Sequence, residues 1–168
     1  PTLNTAKAAE RLKIPVIKNF FGEILGKQLA DEGKQADLII GNNVYAHVPD
    51  INDFTKGLKA VLKPGGTITL EFPHLMCLIE KTQFDTIYHE HFSYLSLHTV
   101  SRIFSSVGLR VWQVEEISTH GGSLRVYGCH QDDKREVGQS VDKLLKEETN
   151  RGLLKLETYM NFTDRVNK

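Results

Sequence analysis

The sequence predicts an α/β fold built on a parallel sheet, and three observations carry that expectation. Two short apolar runs, Ala36-Asp-Leu-Ile-Ile40 and Thr67-Ile-Thr-Leu-Glu-Phe72, have the length and near-continuous hydrophobicity of strands covered by helices. Residues 50–62 between them set Ile51, Phe54, Leu58, Val61 and Leu62 at helical spacing behind Asp50, a natural N-cap. A strand, a helix of about a dozen residues and a second strand make a parallel unit, and such sheets bind ligands at the carboxyl ends of their strands.

The other elements follow in order. Residues 2–12 hold good helix formers, with a threonine or asparagine able to cap the first turn. Residues 14–17 read as a short strand, and residues 22–33 as a helix with Ile24, Leu25 and Leu29 on one face and Gly33 as its stop. Lys63-Pro-Gly-Gly66 reads as a turn. Residues 98–107 repeat Val100, Ile103, Phe104 and Val107 as a helix ended by Gly108. Residues 109–117 and 123–130 are β-rich runs separated by a Gly-Gly turn, hence an antiparallel strand pair, and residues 131–136 form a charged turn. From residue 137 to 166 a long helical pattern carries Val141, Leu144, Leu145, Leu153, Leu156, Tyr159 and Phe162, interrupted at Gly152. The expected division is therefore a sheet-containing domain over residues 1–136 and a helix or connector over residues 137–168.

At 168 residues the chain has the length of one domain, and 21 basic residues balance 21 acidic ones. A net charge of zero gives no bulk attraction for nucleic acid or an anionic membrane, so neither is expected as a partner. No apolar run reaches the roughly 20 residues needed to cross a bilayer, and the N-terminus has no signal pattern. Cys77 and Cys129 belong to no Cys-x-x-Cys pair, so neither a zinc knuckle nor a disulfide framework is indicated, and a reduced cytoplasmic setting is the default.

The densest chemistry lies in residues 84–94, Phe-Asp-Thr-Ile-Tyr-His-Glu-His-Phe-Ser-Tyr. Two imidazoles, two carboxylates and two phenols suit either a solvated loop or a polar cleft where protons move near neutral pH. If Tyr88-His-Glu-His91 is extended, alternation puts Tyr88 with Glu90 and His89 with His91, and a neighbouring glutamate can raise a histidine's basicity. The i, i+4 spacing of a helical zinc site is missing, so a metal is not indicated. Gly41-Asn42-Asn43 and His47 follow the strand at residues 36–40, as a polar cofactor loop or as a helix-capping turn. Phe20 and Phe21 follow another expected strand, to stack on a planar base or to pack. His120-Gly-Gly-Ser-Leu-Arg125 offers an imidazole and a guanidinium for an anion or sugar, or is a plain hairpin turn. Glu71 is a site residue or an edge carboxylate, and the charged C-terminal helix a solvated face or a connector.

With these segments in view, the chain resembles sugar C-methyltransferases that depend on S-adenosylmethionine and methylate a carbon of a nucleotide-linked keto-deoxysugar. The resemblance rests on Ala36-Asp-Leu-Ile-Ile-Gly-Asn-Asn-Val-Tyr-Ala-His-Val-Pro-Asp50, on Leu62-Lys-Pro-Gly-Gly66 with Glu71-Phe-Pro73, and on the 84–94 motif, with Thr119-His-Gly-Gly-Ser-Leu-Arg125 also fitting. It implies a class I, Rossmann-like methyltransferase fold in partial form, and a product S-adenosylhomocysteine. It further implies His91 as the base that makes an enolate, with Tyr88, Glu90 and His47 assisting. Phe20, Phe21, Gly41, Asn42 and Asn43 would lie toward the cofactor, and His120 and Arg125 toward the sugar. An O- or N-methyltransferase acting on a small metabolite, and a non-catalytic binding domain, are the alternatives.

Compared with that family, the sequence has no Gly-rich cofactor loop, no acidic residue closing a second strand, no upstream cysteine-rich zinc domain and no downstream α/β domain. Pro1 opens the chain almost directly on a helical pattern, so a fragment of a longer enzyme is expected, one that binds S-adenosylmethionine poorly alone. A family strand order resembling 3-2-1-4-5-7-6 would leave two empty places between the strand at 14–17 and that at 36–40, and hence exposed edges.

Overall fold

Period-two alternation makes β2 (Leu62–Pro73) the spine of the sheet in the computed structural model, which describes residues 3–167. Ile68, Leu70 and Phe72 are buried on one face, while Thr67, Thr69 and Glu71 fall on the other. Parallel to β2 runs β1 (Ala36–Asn42), with Asn42 beside Glu71. On the other side β4 (Ser123–His130) pairs antiparallel with β2, and β3 (Leu109–Ile117) pairs antiparallel with β4. The order β1-β2-β4-β3 gathers the carboxyl ends of β1, β2 and β3 and the amino end of β4 along one edge.

One face of this sheet carries the core. Leu58 of α3 (Ile51–Val61), Val100 and Phe104 of α5 (Leu97–Ser106), and Val141 and Leu144 of α6 (Gln139–Asn150) join Ile68, Leu70, Phe72, Leu124 and Val126 in one buried cluster. Capping sets where two of these helices start. The Asp50 carboxylate accepts from Asn52 N at 3.0 Å and Asp53 N at 2.9 Å, and Ser96 Oγ accepts from Thr99 N at 3.2 Å. On the opposite face Leu38 and Ile40 of β1 are 53% and 64% exposed. Against α3 lies α2 (Glu23–Asp31), so close that a Cβ on Gly57 would meet the Gly22 carbonyl oxygen at 2.5 Å.

Several expectations need correcting. Residues 14–17 form no strand; Ile14 and Ile17 are about half exposed, Ile14 N–H donates back to the Ala9 carbonyl at 3.0 Å, and the segment pairs with no strand of the sheet. The Lys63–Gly66 turn is absorbed into the start of β2, where the register with β1 shifts between Ala36 and Leu38 and Gly65 takes φ +76°. Arg135, from the charged turn, clamps this irregular stretch by donating to Thr67 Oγ1 and the Gly66 carbonyl, each at 2.6 Å. The long C-terminal pattern is two helices, α6 and α7 (Leu156–Val166), parted where Gly152 adopts φ +79°. The first helix is α1 (Leu3–Arg11), and a cap from Thr2 lies outside the described residues. A short helix, α4 (Leu75–Glu80), follows β2 without having been expected. Among the described residues no helix is long and apolar enough to cross a membrane, and no group of three or more metal-ligating side chains converges.

Gly57→Ala should gain about 1 kcal/mol of helix propensity yet lose about 1–3 kcal/mol to the clash with Gly22 backbone, which cannot swing away as a side chain would. Urea unfolding should show net destabilisation; a variant of equal or higher midpoint would contradict the close α2–α3 contact. The Arg135 guanidinium holds the Asp133 carboxyl well below its ordinary value, chiefly through their side-chain hydrogen bond. A carboxyl lowered on folding stabilises above its unfolded value and loses that stabilisation as pH falls. The urea midpoint gap between wild type and Asp133→Asn should therefore be widest near neutrality and shrink below about pH 4.

Candidate functional site

Two loops meet at the carboxyl edge of the sheet. After β1 the chain turns at Asn43, with φ +52°, whose N–H donates to the Glu71 carbonyl at 3.0 Å. A short turn at Tyr45–His47 follows, and Tyr45 points inward with no exposure. Its hydroxyl lies 2.7 Å from Thr55 Oγ1, and its ring packs among Phe54, Phe72 and Phe104. Burial pushes the phenol far above its ordinary pKa, so it is a structural group and not an acid. The Ala46 carbonyl then accepts from Phe92 N at 2.9 Å and Ser93 N at 3.2 Å, so the 84–94 loop hangs from the loop after β1.

That junction sets two histidines. His91 Nδ1 lies 3.1 Å from the Thr86 carbonyl, and its Nε2 lies 3.2 Å from the Tyr88 hydroxyl. A carbonyl only accepts, so Nδ1 carries the proton and, in the neutral ring, Nε2 offers its lone pair. His47 repeats the arrangement, with Nδ1 2.9 Å from the Glu90 carbonyl. Its Nε2 is buried and has no hydrogen-bond partner among the described residues. The two imidazole centroids are 4.7 Å apart, Tyr88 lies 4.4 Å from His91, and Tyr94 meets His91 edge-on at 5.8 Å.

The motif is therefore a turn and not an extended segment. His91 N donates to the Tyr88 carbonyl at 3.1 Å, which brings Tyr88 onto His91 and leaves the His89 and Glu90 side chains exposed. The Glu90 group that reaches the site is its carbonyl, on His47.

A family model described as a methyltransferase domain matches residues 6–114. The chain belongs to the methyltransferase-domain family. A second model, described as the C-methyltransferase C-terminal domain, matches residues 118–168 of the chain. C-methyltransferase NovU of Streptomyces niveus is 37% identical over 162 residues, which are 96% of this chain and 39% of that protein. The chain thus spans well under half the length of that curated relative. Among solved structures, the PH0226 protein of Pyrococcus horikoshii OT3 shares the fold with a TM-score of 0.54 at 16% identity, over 74% of this chain and 64% of that one. The fold is the class I, Rossmann-like methyltransferase fold in partial form.

The remaining site candidates are spread along the same edge and beyond it. A Cβ on Gly41 would meet Leu70 Cδ2 at 2.7 Å and Val44 Cγ1 at 3.1 Å, so glycine fits there without displacing those side chains. Phe21 packs edge-on against Phe54 at 5.2 Å, whereas Phe20 is 82% exposed. Asn42 is exposed at the end of β1. Asn42, Asn43 and Phe20 are thus exposed, while Gly41 is buried and Phe21 packs inward. His120, with φ +51°, is exposed on the β3–β4 connection, which Lys81 Nζ fastens at 2.6 Å through the Gly121 carbonyl. Arg125 is engaged by carboxylates on both neighbouring strands, its Nε donating to Glu71 Oε1 at 2.6 Å and its Nη1 to Glu115 Oε2 at 3.4 Å. Glu71 is thereby that arginine's partner.

Sequence reasoning missed Tyr45 as the anchor and Tyr94 as the wall of the histidine pair. It also missed His74 and Glu148, fully buried partners 2.8 Å apart, the second on a helix read as a solvated face. The signal was present: Glu148 continues the Val141–Leu144 stripe, and a carboxylate on an apolar stripe needs a buried donor.

Long-range proton–nitrogen spectra of the neutral imidazoles should show His47 and His91 both protonated at Nδ1. A proton on Nε2 of either ring would overturn the carbonyl-set tautomers.

Proposed function

We propose that this chain serves S-adenosylmethionine-dependent methylation of a carbon beside the carbonyl of a nucleotide-linked keto-deoxysugar, with His91 as the base. The observation that carries the reading is the His91 Nε2 lone pair, left unprotonated in the neutral ring by the Nδ1 contact with the Thr86 carbonyl and met, among the described residues, by the Tyr88 hydroxyl alone. The match to a C-methyltransferase C-terminal domain and the likeness to a C-methyltransferase support carbon as the acceptor.

Carbon beside a carbonyl becomes nucleophilic when its proton leaves. His91 Nε2 takes that proton, becoming an imidazolium whose Nδ1–H stays on Thr86 and whose new Nε2–H can return to the Tyr88 oxygen. His47 Nε2, buried and without a hydrogen-bond partner among the described residues, accepts from a substrate hydroxyl and so orients the sugar. Tyr94 and Tyr88 flank the imidazole and limit water around it. When bound, S-adenosylmethionine would supply an electrophilic sulfonium methyl for the enolate carbon, with S-adenosylhomocysteine as the leaving group. Asn42 and Phe20 are the outward groups for that donor. Glu71 and Glu115 neutralise Arg125, so it contacts a sugar hydroxyl more readily than a diphosphate.

The test uses a polypeptide containing this chain and a nucleotide-linked keto-deoxysugar in heavy water. His91→Gln should slow both methyl transfer and donor-free deuterium uptake at the carbon beside the carbonyl by about 10²–10⁴-fold, the usual share of a general base. Affinity for S-adenosylmethionine should not change. Methyl transfer at the wild-type rate in that variant would remove His91 from the role.

A further inference from the structure

Glu148 is wholly buried, yet it takes no part in the chemistry above. Its Oε1 accepts from Leu97 N at 2.6 Å and from His74 Nε2 at 2.8 Å, and its Oε2 accepts from His98 N at 2.9 Å. Removing a carboxylate from water costs several kcal/mol unless hydrogen bonds answer it. Three donors do so here, and two are first-turn amides of α5, which have no partner within their own helix and carry its positive dipole end.

The positions of those donors give the carboxylate its reach. His74 directly follows β2, and its N–H donates to the Gly122 carbonyl of the β3–β4 connection at 3.0 Å. Its backbone also bridges to Leu95, with Leu75 N donating to the Leu95 carbonyl at 2.9 Å. Leu95 directly follows the 84–94 loop, and Leu97 and His98 open α5 just beyond it. His98 returns to α6 through Nε2, 3.1 Å from the Leu145 carbonyl and 3.0 Å from Thr149 Oγ1. One side chain therefore joins the end of β2, the downstream stem of the His91 loop and α6, and through His74 it reaches the β3–β4 connection.

We infer that Glu148, acting through His74 and the first turn of α5, is a positioning residue that fixes the downstream stem of the 84–94 loop and so sets the direction of His91 Nε2. Its catalytic consequence rests on the reading of His91 as base; its effect on the loop rests on geometry alone. The inference gives the segment matched as a C-methyltransferase C-terminal domain a task at a site whose histidines lie in the segment matched as a methyltransferase domain. Upstream, the loop is tied separately, by Lys81 and Gln83 on the Gly121 carbonyl, so loss of Glu148 frees one stem and not both.

Glu148→Gln keeps the side chain's shape and one carbonyl oxygen, but sets an amide against a donor. Lys146→Ala, on an exposed position of the same helix, is the control, and His74→Gln is a second variant should Glu148→Gln fold poorly. Amide hydrogen exchange by NMR on this chain should quicken about tenfold or more at Phe92 and Ser93 in Glu148→Gln or His74→Gln, with Leu70 and Val126 in mid-sheet changed less than about twofold. In methyl-transfer assays of a polypeptide containing the chain, kcat should fall while KM for S-adenosylmethionine stays constant. Unchanged exchange at Phe92 and Ser93, or equal quickening across the sheet, overturns the positioning role. An active His91→Gln alongside quickened loop exchange would instead remove the base assignment and leave the tether standing, so the two failures read differently.

Discussion

The site depends first on burying one tyrosine. Tyr45 is sealed under the carboxyl edge, its hydroxyl on Thr55 and its ring against Phe54, Phe72 and Phe104. Burying so large a ring contributes on the order of 2 kcal/mol or more, and the hydroxyl would cost a similar amount if left unpaired. Thr55 Oγ1 in turn donates to the Ile51 carbonyl at 2.6 Å, so the phenol is fixed to the first turn of α3. With that ring immobile, the next two residues have little freedom. Ala46 presents its carbonyl to Phe92 and Ser93, and His47 presents its imidazole to the Glu90 carbonyl. A packing event in the core thus becomes the placement of two polar loops at the surface.

Backbone carbonyls then do what carboxylates do in many histidine sites. Thr86 and Glu90 each fix an Nδ1–H without adding charge, so both imidazoles offer Nε2 lone pairs from a neutral setting. The carboxylates that lie nearby by register are committed elsewhere: Glu71 and Glu115 flank Arg125 across three strands. An arginine tied by two carboxylates contributes geometry more than field, and such partly exposed pairs contribute little to stability in water. The edge therefore keeps a polar surface with its charges balanced, consistent with the equal totals of acidic and basic residues.

The elements legible in the sequence were those whose pattern and partners both lie within it. β1, α3 and β2 follow each other with short connections, and β3 and β4 form a hairpin, so local periodicity and local pairing agreed. Residues 14–17 had the composition of a strand but no ladder, and composition without a neighbour does not make one. Lys63-Pro-Gly-Gly66 was legible as an irregularity but not as the first residues of a paired strand, because Arg135, far along the chain, holds it there. In the site, the clustering of Tyr88, His91 and His47 was visible as residue types. Their geometry was not, since a turn at His91 N–Tyr88 O and the shared Ala46 carbonyl are contacts of backbone groups, which carry no residue code. Phe20 and Phe21, alike in sequence, part company because only Phe21 finds a ring, Phe54, to pack on.

Glu148 shows why a polar contact was retained where an apolar one would have packed. Val141 and Leu144 already hold α6 in the core, but apolar surfaces are non-directional and tolerate a small slide or rotation. A carboxylate answered by three donors within 2.6 to 2.9 Å does not, because a shift of one ångström leaves a buried charge or a buried amide unanswered. The penalty falls on the misaligned state, so the carboxylate sharpens the arrangement more than it deepens it. That is the property a reacting nitrogen needs from its supports, since a proton moves only across hydrogen-bond distance, and an error of an ångström in His91 Nε2 costs more rate than stability.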